Sequence, residues 1–380
     1  MKFIHIADLH IGIRVNEFSM LEDQKYILGQ ILQIVQREHA DAVLIAGDVY
    51  DKALPSAESV QIFDRFLTEL ADGKKKVFVV SGNHDSPERL AFGARLMSGR
   101  GVHMSPVYEG DVKEITLEDE FGEIGVWMLP FLKPATVRHA LEGKVEGNMP
   151  ETYAEAVKMA VDRMKIDDTK RNILVAHQFV AGAGTCDSEI VSVGSLDNVP
   201  VDIFDGFDYV AMGHLHNSQS VRRDTLRYCG TPLKYSFSEA DQVKSVTVVE
   251  MREKGQVSVL AVPLVPLHDM RKIRGTYLEV TAKSFYQEFQ REDYVQVTLT
   301  DEEDVPDGLQ KLRIIYPNLM RLSYDNTRTG RTGKVDADSA VEQKSEEELF
   351  GEFYELQNNQ PMGEEQRAYM KKVIESLQTP

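Results

Sequence analysis

The chain has 380 residues, 42% of them hydrophobic and 27% charged, which fits a globular protein too long for a single compact core. No apolar run reaches the ~18 residues of a membrane span, the N-terminal stretch lacks a signal-peptide core, and two isolated cysteines, Cys186 and Cys229, exclude a disulfide framework or a thiolate metal cage. A net charge of −18 weighs against a polyanionic partner unless bound cations or local basic groups override the average. The expected compartment is a reducing cytoplasm.

The first 230 residues alternate β-rich runs with amphipathic stretches, the pattern of an α/β domain. Strands are expected at Lys2–Ala7, Ala42–Ala46, Val77–Val80, Ile124–Leu129, Ile173–Ala176 and Tyr209–Met212. One helix presents Leu28, Ile31, Leu32 and Val35 on one face. A second follows an N-cap at Ser56 and presents Val60, Phe63, Leu67 and Leu70. A third starts at Ser86-Pro87 and stops at Gly99, and Tyr153 to Met164 marks a fourth. Strands at Ser245–Glu250 and Val257–Val262 close a first domain, residues 1–270. A small α/β domain, 271–325, follows, with strands at Tyr277–Thr281, Tyr294–Thr300 and Leu319–Tyr324 and a helix from Gly308. Residues 326–345 have almost no large apolar side chains and read as a linker, and 346–380 as two short amphipathic helices.

Chemistry gathers at strand ends. Five expected strands run into Asp8-Leu9-His10, Gly47-Asp48, Gly82-Asn83-His84-Asp85, His177 and Gly213-His214-Leu215-His216. Sites in open α/β sheets lie at the carboxyl ends of strands, and glycine lets the backbone turn sharply there. Asp8, His10, Asp48, Asn83, His177, His214 and His216 offer carboxylate, amide and imidazole donors suited to manganese, iron or zinc. Seven donors exceed one four- to six-coordinate ion, whereas two ions about 3.5–4 Å apart sharing a carboxylate would use them all. Taken singly, each residue has a bland reading as a turn former, helix cap or hydrogen-bonded histidine. His5, inside its strand, reads as packing.

These blocks, all present and in order, resemble the calcineurin-like metallophosphoesterase superfamily. The finer wording "ADLHIG", "GDVYD", "SGNHDS", "HQFV" and "GHLH" is similar to the bacterial SbcD family, the nuclease subunits of SbcCD complexes. The superfamily likeness spans residues 8 to 216; the SbcD likeness runs on through "YCGTPLKYSFSE" and the second domain and fades in the tail. The resemblance implies a β-sandwich flanked by helices, a small α/β capping domain that places DNA, and C-terminal helices that grip an ATPase. It implies two divalent ions, manganese above all, one held by Asp8, His10, Asp48 and His216, the other by Asp48, Asn83, His177 and His214. His84 would face the scissile phosphate rather than a metal, and Asp51 would orient His84 or only cap a turn. The implied partners are DNA, an SbcC-like coiled-coil ATPase and a second copy of the chain, with no membrane and a cytoplasmic, nucleoid-associated location.

Exonuclease and endonuclease action on DNA is the function this implies. A small-molecule phosphodiesterase or phosphatase with the same metals is the competing reading; it has no use for a second domain, a linker and terminal helices. A non-catalytic scaffold requires a missing ligand, and none is missing. Segment 341–380 carries nine Asp/Glu against four Lys/Arg, and its apolar stripes fit either an ATPase coiled coil or this protein's own core. Arg14, Lys52 and Arg89 lie near the motifs as candidate phosphate contacts.

Overall fold

A computed structural model describes residues 1–145, 148–184, 198–287, 290–326, 350–351, 353–355, 358 and 361–378. The expected linker from 327 onward, with Cys186, lies outside the described residues, as do Leu349 and Leu356 of the C-terminal segment. The chain forms two units, Met1–Leu267 and His268–Pro380.

The first unit is built on two six-stranded sheets. One runs in the order Val257–Pro263, Ser245–Met251, Lys2–Ile6, Ala42–Ala46, Lys76–Val80, Val102–Met104. Its last four strands are parallel, and Ser245–Met251 is antiparallel to both of its neighbours. The other runs Gln219–Val221, Arg223–Tyr228, Tyr209–Gly213, Arg171–His177, Gly122–Leu129, Glu114–Asp119, with the four middle strands parallel. The central strands are largely apolar because both faces are covered. Ala42–Ala46 and Tyr209–Gly213 are buried throughout.

Phe3, Leu44, Phe78 and Val80 of the first sheet join Ile124, Val126, Ile173, Val175, Tyr209 and Ala211 of the second in one core cluster between the layers. The second sheet's other face packs Trp127, Leu174, Val210 and Met212 against Val137 and Leu141 of helix Pro134–Leu141 and Val157 and Val161 of helix Tyr153–Asp162. The first sheet carries helices Leu21–Arg37 and Ala57–Asp72, whose buried stripes include Ile27, Ile31, Ile34, Phe63, Phe66 and Leu70. Ser56 caps the second of these, accepting from Ser59 N at 3.1 Å. Val60, placed on that stripe by spacing, is 44% exposed. The helix expected from Ser86 to Gly99 is two short ones, Pro87–Leu90 and Ala94–Ser98, because Gly93 between them takes φ +75°.

In the second unit, Met270–Gly275, Tyr294–Leu299 and Leu319–Tyr324 form a parallel three-stranded sheet. The segment Tyr277–Thr281, expected as a strand, is a helix. Thr276 accepts from Glu279 N while the Glu279 carboxylate accepts from Thr276 N, a capping box that alternation of apolar residues does not reveal. The strand preceding it, Met270–Gly275, is absent from the sequence reading, as are Val102–Met104, Glu114–Asp119, Gln219–Val221 and Arg223–Tyr228 in the first unit. Among the described residues no helix is long and apolar enough to cross a membrane.

A buried cation ties the far edge of the second sheet. The Arg171 guanidinium donates to Asp119 Oδ2 at 3.1 Å, Gly122 O at 2.6 Å and Arg252 O at 2.8 Å, and is 2% exposed. Removing one partner of such a pair leaves an uncompensated buried charge. Asp119→Asn, which keeps one acceptor oxygen but loses the charge, should therefore lower stability by about 1.5–3 kcal/mol, read as a shift of the urea midpoint with unchanged slope.

Candidate metal centre

The carboxyl ends of five strands bring the sequence-nominated side chains together, and both sheets contribute. Asp8, His10, Asp48 and Asn83 follow strands of the first sheet; His177, His214 and His216 end or follow strands of the second. The sheets meet at backbone distance. A Cβ on Gly213 would overlap the Ala46 carbonyl, and one on Gly82 would overlap the Asp48 carboxylate. Asp8, His10 and Asp48 take φ of +52°, +43° and +47°, and His214 takes +106°, conformations that side-chain-bearing residues hold only when their surroundings dictate it.

The surroundings do so through hydrogen bonds. Asp8 accepts from His214 N at 3.0 Å, across the sheets. Asp48 Oδ1 accepts from His84 N at 2.9 Å. Asp85 accepts from Val49 N, Tyr50 N and Gly82 N at 2.9–3.1 Å, lacing the Asp48 loop to the Asn83 loop. Gln24 donates to His10 O at 2.8 Å and Leu9 O at 3.1 Å, and Tyr235 Oη donates to Leu9 O at 2.6 Å. Glu239 Oε1 faces His216 Nδ1 at 3.7 Å.

Donor atoms crowd one buried pocket. Asp8, His10 and His216 form one cluster, Asp8, Asp48 and His177 a second, and His10, Asp48 and His84 a third, with atoms within 4.8 Å of one another in each. His10 Nε2 lies 3.3 Å from His216 Nε2. His177 Nδ1 sits 2.8 Å from the Ala46 carbonyl, which only accepts, so Nδ1 carries a proton and Nε2 turns to Asn83 Oδ1 at 2.9 Å and Asp48 Oδ2 at 3.4 Å. Asn83 Oδ1 also lies 3.0 Å from His214 Nδ1. So many oxygen and nitrogen donors buried around one point call for positive charge among them, supplied by a protonated His177 or by cations. The oxygen and nitrogen donor set fits divalent metals.

The electrostatics carry the same signature. Burial pushes the Asp8 carboxyl up to about 7 and holds His214 down to about 3 and His10 well below its ordinary value. Burial would lower His177 too, but the Asp48 carboxylate beside it raises it to about 9. Asp48 stays below the usual carboxylate range despite its burial, mainly because of His177.

His84 stands at the edge of the cluster, its ring edge-on to His10 with centroids 4.8 Å apart. Its Nδ1 lies 2.9 Å from the main-chain carbonyl of Asp51, so the Asp51 backbone, not its carboxylate, makes the hydrogen bond to His84. Arg14, Lys52 and Arg89 are all exposed, and Arg14 bonds the Glu17 carbonyl. His5 is buried against Tyr209 Oη and Met212 O, a packing role.

Residues 1–218 match the Calcineurin-like phosphoesterase family. The chain belongs to that family. As a calcineurin-like phosphoesterase it works with divalent metal ions, and the pocket is where its donors converge. Residues 266–358 match a second family, SbcD_C, described as the Type 5 capsule protein repressor C-terminal domain. A Staphylococcus epidermidis protein named as the SbcD subunit of the nuclease SbcCD is 30% identical over 381 residues, covering 98% of each chain, which places this phosphoesterase in the SbcD branch. Two solved structures are more distant. TT1561 of Thermus thermophilus is 10% identical with a TM-score of 0.39, over 68% of this chain and 98% of that one. The calcineurin-like phosphoesterase YfkN from Bacillus subtilis is 12% identical with a TM-score of 0.34, over 70% and 90%.

Gln24, Asp85, Phe131, Tyr235 and Glu239 are supports of the pocket to which the sequence reading gives no role. Phe131 and Phe179 pack on the His214 ring at 6.4 and 6.0 Å, walling its side of the pocket. Asp85 lies within Gly82-Asn83-His84-Asp85, and Tyr235 and Glu239 lie within "YCGTPLKYSFSE"; Gln24 and Phe131 carry no such signal. Asp85→Ala would orphan three N–H donors at once. The expected loss is about 3 kcal/mol of stability, with Asp85→Asn intermediate because one acceptor oxygen remains, both read by chemical denaturation.

Proposed function

We propose that this SbcD-type phosphoesterase is the DNA-cutting subunit of a two-protein end-processing complex, hydrolysing phosphodiester bonds with two manganese ions. The observation that carries this reading is the convergence of seven oxygen and nitrogen donors from five strand ends in one buried pocket. Asp8, His10, Asp48 and His216 would hold one ion and Asp48, Asn83, His177 and His214 the other, with Asp48 shared. When bound, such a pair supplies a water ionised near neutrality and a sink for the charge that develops on the phosphate.

The chain's own groups do the rest. Asn83 and Asp48 are fixed by the loops that Asp85 laces, so the donors need little rearrangement. His84 has its Nδ1 proton committed to the Asp51 carbonyl, which leaves Nε2 for the substrate. From Nε2 it would donate a proton to the leaving oxygen, giving a phosphomonoester and a free hydroxyl. Arg14, Lys52 and Arg89 contribute phosphate contacts that position the strand without reading sequence. Unit 268–380, which contains the capping segment 271–325, places DNA, and the C-terminal helices dock an SbcC-like coiled-coil ATPase in a groove. A second copy of the chain completes the assembly. The small-molecule phosphodiesterase reading shares the pocket, but it does not account for the full-length likeness to a nuclease subunit.

Purified protein with manganese should cut labelled duplex or single-stranded DNA; turnover of a generic phosphodiester dye with both DNAs intact would overturn the nuclease assignment. His84→Ala should reduce cutting at least 100-fold, about 2.7 kcal/mol, while calorimetry still finds manganese bound.

Asp8 and His177 are both raised, so each keeps its proton to higher pH than usual and must release it to accept a cation. Manganese affinity should therefore rise from pH 7 to pH 9 and level off above. Calorimetric heats at pH 7.5 should vary with the ionisation enthalpy of the buffer.

A further inference from the structure

Among the ligand histidines, His216 is backed by a buried ion pair. Glu239 is fully buried, with Oε1 3.7 Å from His216 Nδ1, close enough for electrostatic contact though too long for a tight hydrogen bond. Its other oxygen, Oε2, accepts from Lys244 Nζ at 2.5 Å and from Thr231 Oγ1 at 3.3 Å. The same Lys244 ammonium donates to the His216 carbonyl at 2.9 Å, and Thr231 N donates to that carbonyl at 3.1 Å. One cation–anion pair therefore grips both the ring side and the backbone of His216. The Lys244 ammonium, itself buried, pairs with the Glu239 carboxylate and so supplies the opposite charge that this burial requires.

A carboxylate opposite one imidazole nitrogen draws the proton to that nitrogen and frees the other as a ligand. His216 Nε2 points into the pocket, 3.3 Å from His10 Nε2, while Nδ1 turns away toward Glu239. The arrangement differs at His214, whose Nδ1 faces Asn83 and whose Nε2 has no hydrogen-bond partner among the described residues. Nothing intrinsic to imidazole picks Nε2 at one position and Nδ1 at the other, so the surroundings must.

We infer that Glu239, braced by Lys244, is a positioning residue that keeps the His216 proton on Nδ1 and presents Nε2 to one of the two metal sites. This rests on the reading of His216 as a metal ligand, and its consequence is already present in the metal-free protein. The pair also explains why a lysine is buried here: it neutralises Glu239 and fixes the His216 main chain.

The test uses full-length protein in four forms: unaltered, Glu239→Gln, Lys244→Met, and both together. The double variant removes both buried charges, so it should fold where the single variants strand an unpaired charge. In metal-free protein labelled with nitrogen-15 histidine, the unaltered chain should show His216 protonated at Nδ1, with the resonance assigned by His216→Gln. The double variant should lose that bias and populate the other tautomer. In manganese titrations, one of two sites should weaken 10–100-fold in the double variant. The electron paramagnetic resonance signal of a coupled manganese pair should then give way, at limiting metal, to that of isolated ions. A folded double variant with the same His216 tautomer and both affinities intact would overturn the inference. If the unaltered protein bound no manganese at all, the metal reading of the pocket would fall, while the tautomer measurement would still decide the role of Glu239.

Discussion

Asp48 is the side chain on which the pocket turns. It stands in a left-handed conformation at the end of a fully buried strand, one oxygen accepting from the His84 main chain and the other lying beside His177 and His10. A carboxylate buried this deeply persists as an anion only if positive charge is supplied to it. In the bare protein that charge comes from the raised His177; in the working enzyme it comes from cations. Gly82, with no room for a Cβ against Asp48, and Gly213, with none against Ala46, follow from the same crowding. So do the strained backbones of Asp8, His10 and His214: the donors reach one point only if the loops bend where they prefer not to.

Much of this was legible in the sequence, for identifiable reasons. Strands such as Ala42–Ala46 and Ile173–Ala176 are short apolar runs bounded by polar turns, and their chemistry follows within one or two residues. Ser56 announced a helix because capping is local. Tyr277–Thr281 misled because its apolar residues alternate, and only the Thr276–Glu279 pair says helix. The order of strands within each sheet, and the antiparallel insertion of Ser245–Met251 beside Lys2–Ile6, depend on pairings about 245 residues apart with no local signature.

The supports of the pocket were illegible for the same reason. Tyr235 bonds Leu9 across 226 positions and Gln24 meets Tyr235 across 211, so neither could be picked out by spacing. Glu239 and Lys244 lie five residues apart in a stretch with no ligand-like rhythm, and their meaning appears only when His216 arrives beside them. Asp51 shows the converse limit. Its position three residues beyond Asp48 drew attention to its carboxylate, whereas the folded chain uses its carbonyl oxygen, an atom that every residue has.

Custody of the donors is divided: four come from one layer of the sandwich and three from the other. Whatever occupies the pocket is therefore a rivet through both layers as well as a reagent. Grafting the loops of only one layer into a relative would leave half a rivet hole, so the two layers must drift together or not at all.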